Sequence, residues 1–210
     1  MIIEGMTGAQ IREEFIYGLE CLRNKIKGMA NKIRRHLIEG KLKIHKFVYI
    51  DPRKNTWRMV SVQKTKTAII SLPILEYTDL KGGMRIVTSA ADEIHIYTGH
   101  FISRFKERAR FAMENGNEYD DIFLFLALNN LNKAVCFDDN VVQVEYPHGI
   151  GVGYSYGDKV FMIRTFLTHD LLSGRQSEIS EQMRKALQEE SPDDYAFLTS
   201  RKYGSAARKS

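Results

Sequence analysis

Thr98-Gly99-His100-Phe101-Ile102-Ser103-Arg104-Phe105-Lys106-Glu107-Arg108-Ala109-Arg110 ends an apolar strand and opens a two-faced helix. Thr98 is a helix-start residue. Phe101, Phe105, Ala109 and Ala112 recur at helical spacing, which predicts a buried stripe. His100, Arg104, Glu107 and Arg108 are expected on the opposite side, at successive turns. One imidazole set among guanidinium groups is either a solvated surface or an anion-handling site, and both readings stand.

Upstream, Thr7-Gly8-Ala9-Gln10 has the form of a capping box. Ile11, Phe15, Leu19, Leu22, Ile26, Met29, Ile33 and Leu37 then recur three or four apart, predicting one long amphipathic helix up to Gly40, weakened at Gly18 and Gly28. Its second half is basic: Arg23, Lys25, Lys27, Lys32, Arg34 and Arg35. That face is solvated or phosphate-facing, and the helix is also a candidate for homodimerisation. Strands are expected at Lys46–Ile50, Trp57–Gln63, Ala68–Tyr77, Met84–Ser89 and Glu93–Tyr97. Pro73 places the third of them at an edge or a bulge.

Downstream, a buried helix is expected from about Glu118 to Asn130. Four short strands follow, at Ala134–Phe137, Val141–Tyr146, Gly151–Tyr156 and Lys159–Leu167. Their links are short turns, which predicts an antiparallel meander. Thr168 reads as the next N-cap, leading to a helix that ends at Ser191-Pro192. The fold class is therefore α+β: a long N-terminal helix with a small antiparallel β-region, then a helix pair packed on a four-stranded antiparallel meander, then a C-terminal helix. Residues 1–90 form the first region and 91–190 the second. Residues 191–210 form a basic tail expected to be disordered.

The composition excludes several classes. At 43% hydrophobic and 27% charged, the chain has ample core material for a globular domain. A net charge of +5 is compatible with a nucleic-acid partner. Cys21 and Cys136 lie far apart in apolar settings, outside any CxxC spacing, and read as reduced core residues. The longest apolar run, Ile122–Leu128, is too short to cross a bilayer. The expected compartment is the cytoplasm, with no membrane partner. No cofactor or metal site is expected. The glycines of Gly149-Ile150-Gly151-Val152-Gly153 precede a strand, whereas a phosphate loop needs a helix there.

The chemistry-bearing residues are His100, Glu107, Thr165 and His169 as catalytic candidates, with Arg104 and Arg108 as substrate-binding ones. Metal-free RNA cleavage needs a base for the 2′-hydroxyl, an acid for the leaving oxygen, and donors on the phosphate. These six are the right chemical types. Plainer readings apply to each: an exposed histidine, an ion-pair network, a strand threonine, a residue following a cap.

Two helices, a four-stranded meander, His and Arg on a helix and Thr on the last strand together resemble the barnase–EndoU–colicin–RelE superfamily of metal-independent ribonucleases, many of which are toxins. The resemblance covers roughly residues 93–170. It implies an RNA substrate, a site at His100, Arg104, Arg108 and Thr165, and a cognate inhibitor protein as partner. The His-Phe-x-x-Arg-Phe-x-x-Arg pattern also resembles bacterial and phage-associated proteins. Two other functional readings stand beside the enzyme: a non-catalytic nucleic-acid-binding or regulatory module, and a structural protein-interaction domain.

Overall fold

Helix α1 (Gly8–Ile26) begins at the expected capping box. The Gln10 amide donates to the Thr7 hydroxyl at 3.3 Å, and the Thr7 amide donates to the Gln10 side chain at 2.8 Å. The single long helix expected up to Gly40 is instead two. Its ladder breaks at Lys27, Gly28 and Met29, and α2 (Ala30–Ile38) follows. Gly28 sits in that break, where the backbone freedom of glycine disfavours a continuous helix. The computed structural model describes residues 5–39, 44–63, 69–109, 122–123, 125–127, 129, 134–136, 140–146 and 148–190. Ala112, the Asp138-Asp139 turn, the ends of the expected 118–130 helix and the 191–210 tail lie outside them.

The strands are β1 (Ile44–Ile50), β2 (Thr56–Gln63), β3 (Ile69–Thr78), β4 (Met84–Ala90), β5 (Glu93–Thr98), β6 (Ala134–Cys136), β7 (Val141–Tyr146), β8 (Gly149–Ser155) and β9 (Val160–Thr168). Helix α3 (Gly99–Ala109) follows β5, a short turn of 3-10 helix (His169–Leu171) follows β9, and a C-terminal helix spans Arg175–Glu190.

The expected organisation, a four-stranded meander with its own helix pair beside a separate β-region, is corrected by the topology. All nine strands form one mixed sheet in the order β1-β2-β3-β4-β5-β9-β8-β7-β6. Two antiparallel meanders meet where β5 and β9 pair in parallel, with Ile94 opposite Val160 and Tyr97 opposite Ile163. The boundary expected near residue 90 falls in the β4–β5 turn, inside this continuous sheet. Pro73 is accommodated because β4 pairs β3 only at Leu75–Thr78, so β3 has an open edge beside the proline.

Helices cover both faces. On one face Phe101, Ile102 and Phe105 of α3 join the helical residues Ile122, Phe123, Phe125, Leu126 and Ala127. They pack on Val60, Ile74, Ile86, Val144 and Ile163 of the sheet. Phe105 stacks on Phe125 at 4.2 Å between ring centroids and meets Phe166 edge-on at 5.3 Å. The Gly149-x-Gly151-x-Gly153 run belongs to this face. A Cβ at Gly151 would lie 2.7 Å from Ile163 and 3.1 Å from the Tyr146 ring, so the glycines leave room for the aromatic core.

On the other face Ile11, Phe15 and Leu22 of α1 pack on Trp57, Leu75, Val87, Ile96 and Val160. The apolar stripe of α1 thus lies on the sheet of its own chain. A polar hinge fixes it. The Trp57 indole N–H donates to Asp51 at 2.9 Å, and the Asn55 amide donates to both Asp51 (2.9 Å) and Glu14 (3.1 Å). Gly18 faces the Trp57 ring, and any Cβ there collides with the ring and with Asp51.

Gly18→Ala is expected to destabilise by roughly 1–3 kcal/mol through overpacking, against an intrinsic helix gain of about 1 kcal/mol. Gly28, with open space around it, is expected to tolerate alanine without loss. Urea denaturation of both variants checks this, and equal midpoints would contradict the docking of α1.

Candidate functional site

The residues singled out by sequence fall into two groups on opposite faces of the sheet. His100, Arg104, Glu107 and Arg108 all stand on α3. Thr98 caps that helix: its hydroxyl accepts from the Phe101 amide at 3.2 Å and donates to the Arg164 carbonyl at 3.0 Å. His100 is exposed. Arg104 and Glu107 pair with each other at 2.6 Å on the surface, a contact worth about 0–1 kcal/mol. Arg108 donates to the Phe166 carbonyl at 2.5 Å and ties α3 to β9. The guanidinium is thus engaged in holding the fold.

Thr165 and His169 belong elsewhere, because of a bulge. The β8–β9 register shifts between Val152 and Gly153, so that Val152 faces Thr165 while Gly153 faces Ile163. Arg164 is the extra residue, and it is exposed. The bulge reverses the side-chain phase. Phe161, Ile163 and Phe166 all reach the α3-side core, and alternation then directs Thr165 to the far face. Unbroken alternation would put Thr165 on the side of Phe161, and the bulge moves it to the other.

On that far face a polar cluster lies beneath the C-terminal helix. Val142, Val144 and Tyr146 of β7 point into the aromatic core, so Gln143 and Glu145 point the other way. Both are fully buried. The Nε2 of His169 lies 2.6 Å from Glu145 Oε1. Arg184 of the C-terminal helix brings its Nε to 3.9 Å from the same oxygen. The Gln143 amide donates to the Gln176 carbonyl at 3.4 Å, which ties the helix over the strand. His148, in the β7–β8 turn, lies near enough for the His169 charge to depress its protonation, after the larger effect of its own burial.

Several polar atoms here are buried without a hydrogen bond: Gln143 Oε1, Ser180 Oγ and Arg184 Nε. Buried polar groups are nearly always satisfied, so a cluster with several such atoms is unusual. It remains reachable, with the His169 side chain 25% exposed and that of Arg184 39%. Glu145, His148, Arg184 and Gln143 were missed in the sequence. Their signal was weak: Gln143 and Glu145 alternate with apolar residues, which reads as a solvated strand face until a helix covers it.

A second buried polar chain is internal. The Nε2 of His95 sits 3.0 Å from Glu93, its Nδ1 3.4 Å from the Tyr97 hydroxyl, and that hydroxyl 3.1 Å from Tyr146. Glu93 also accepts from the Ala134 amide at 2.8 Å. Burial pushes the Tyr97 phenol up to about 12. His95 is only 1% exposed, and this chain cross-links β5, β6 and β7 inside the core. Cys21 is half-buried and Cys136 exposed, which corrects the expectation that both are core residues. Among the described residues no cluster of three His, Cys, Asp or Glu is placed to hold a metal ion, and no helix is long and apolar enough to cross a membrane.

The burial of His148 has a measurable consequence. Its folded pKa lies below the ordinary 6.5, so the unfolded chain binds that proton more readily. Its contribution to stability is complete above pH 6.5 and is lost as pH falls toward the folded value. His45 is shifted the same way, by burial and then by His36 and Lys32. The urea midpoint is expected to fall on acidification through that range, and His148→Gln is expected to remove part of the slope. An unchanged slope in the variant would contradict the burial of His148. Comparison with protein-family models, with curated proteins and with solved structures finds no match.

Proposed function

We propose that the chain is a metal-independent endoribonuclease whose site is a crevice formed by this polar cluster under the C-terminal helix. The observation that supports this reading is the pairing of His169 with the buried Glu145 carboxylate and the Arg184 guanidinium, beside buried polar atoms without a hydrogen bond, with the His148 imidazole within electrostatic reach of His169. These are the groups that 2′-hydroxyl transesterification requires. The net charge of +5 favours a polyanionic substrate.

In this reading Glu145 accepts the His169 Nε2–H and fixes the tautomer that leaves Nδ1 as an acceptor. His169 then takes the proton of the 2′-hydroxyl as its oxygen attacks phosphorus. The P–O5′ bond breaks to leave a 2′,3′-cyclic phosphate, and protonated His148 supplies the proton that the 5′-oxygen gains. Arg184 holds the non-bridging phosphate oxygens. Glu145 acts through His169 and is a positioning residue. His100, Arg104 and Glu107 lie across the sheet and take no part.

Cleavage of mixed cellular RNA in chelator tests the proposal. His169→Gln keeps a donor for Glu145 but cannot shuttle a proton, and it is expected to lower the rate about 100-fold or more. His148→Gln should do the same, whereas His100→Ala should leave the rate unchanged. Because the acid must carry a proton and burial holds the His148 pKa below the ordinary 6.5, the rate is expected to fall as pH rises through that lowered value. RNA binding without cleavage by the wild-type chain would favour the nucleic-acid-binding module instead. Undiminished cleavage by His169→Gln would sink the assignment of the site.

A further inference from the structure

A void on the N-terminal meander, distinct from the polar cluster under the C-terminal helix, lies where the helix break separates α2 from α1. It measures about 400 Å³, within the range of small-molecule sites. Its walls are Ile26, Ile33, Met59 and Ile69. Its floor includes Ser61 opposite Ser71, and His45 lies opposite Ser61 on the same sheet face, beside the void. Directly opposed residues share a face, so all three point toward the helices. Serine is small, and a row of it under two helices leaves a gap that valine or isoleucine would fill.

The hydroxyls of Ser61 and Ser71 are 2.8 Å apart. One proton joins them, and the pair keeps a second hydroxyl proton to offer. Ser61 is buried at the floor while Ser71 is exposed at the opening. His45 Nδ1 is a buried atom without a hydrogen-bond partner. Arg34 lines the same void and makes no ion pair among the described residues. The charges on His36 and Lys32 reach His45 as well, so this corner of the molecule is electropositive. An apolar wall with hydroxyl donors and a guanidinium that is unpaired among the described residues calls for one kind of molecule. It carries a single negative head and an apolar body.

We propose that this void is a binding site for a small organic monoanion with an apolar tail, of the medium-chain carboxylate class. The head group sits between the Arg34 guanidinium and the Ser61–Ser71 pair, and the tail lies against Ile26, Ile33 and Met59. An eight-carbon chain, with ten heavy atoms, matches the space. The site stands apart from the RNA crevice, and neither reading depends on the other.

Calorimetric titration of the intact chain with sodium octanoate, below its micellar concentration, tests the assignment. Saturable one-to-one binding is expected, with octanol at least tenfold weaker and acetate without measurable binding. Arg34→Ala is expected to weaken octanoate at least tenfold. Ala30→Phe, at an exposed helix position lining the void, is expected to abolish binding while circular dichroism stays that of the wild type. Ser71→Val, a substitution suited to a strand, is expected to weaken octanoate more than octanol. Absence of saturable octanoate binding would overturn the proposal. So would equal affinity for octanol and octanoate, or unchanged affinity in both Arg34→Ala and Ala30→Phe.

Discussion

The parallel pairing of β5 with β9 is the constraint on which the rest depends. Every other neighbour in the sheet is an antiparallel pair, and seven of the eight pairings run between strands consecutive in the chain. The β5–β9 contact is long-range and converts two meanders into one nine-stranded sheet. It also sets the place of α3. The helix leaves β5 at Thr98, whose hydroxyl bonds Arg164 on β9, and it finishes with Arg108 bonded to Phe166 on the same strand. The aromatic core of Phe101, Phe105, Phe125 and Phe166 is held at that crossover. The polar cluster under the C-terminal helix lies across the sheet from it, so one pairing positions both.

Local elements were legible because their signals are local. The Thr7–Gln10 box, the Thr98 cap, the Asp51–Asn55 turn and all nine strands follow from residue patterns that act within a few positions. Their assembly was not legible. The apolar–polar alternation of Ile94, Ile96, Val160 and Met162 tells each strand to bury a face, but carries no information about which strand lies alongside. The short turns favoured two separate meanders, and nothing near Glu93 or Val160 announced that they join. The bulge at Arg164 is equally silent in sequence, yet it reverses the side-chain phase and moves Thr165 to the opposite face.

The candidate site was legible only at His169. The α3 residues drew attention because imidazole and guanidinium groups cluster there in sequence, but a helix presents such a cluster to solvent at no cost. Burial supplies the distinguishing physics. Glu145 and Gln143 differ from surface residues because the C-terminal helix covers them. That covering is a tertiary fact, made by residues some thirty positions away. A buried carboxylate demands a partner, and His169 meets that demand from the end of the last strand of the same meander.

The order in which the chain leaves the ribosome gives the central pairing another meaning. Strands β1 to β4 pair only with sequence neighbours, and β5 pairs with β4 on one side, so that half can assemble early. Until Val160 has been made, β5 presents an open row of amides and carbonyls. Its apolar residues Ile94 and Ile96 stand beside that row. The nascent chain therefore passes through an interval with a sticky central edge. The final strand closes it, and with it the risk that another chain's strand takes its place.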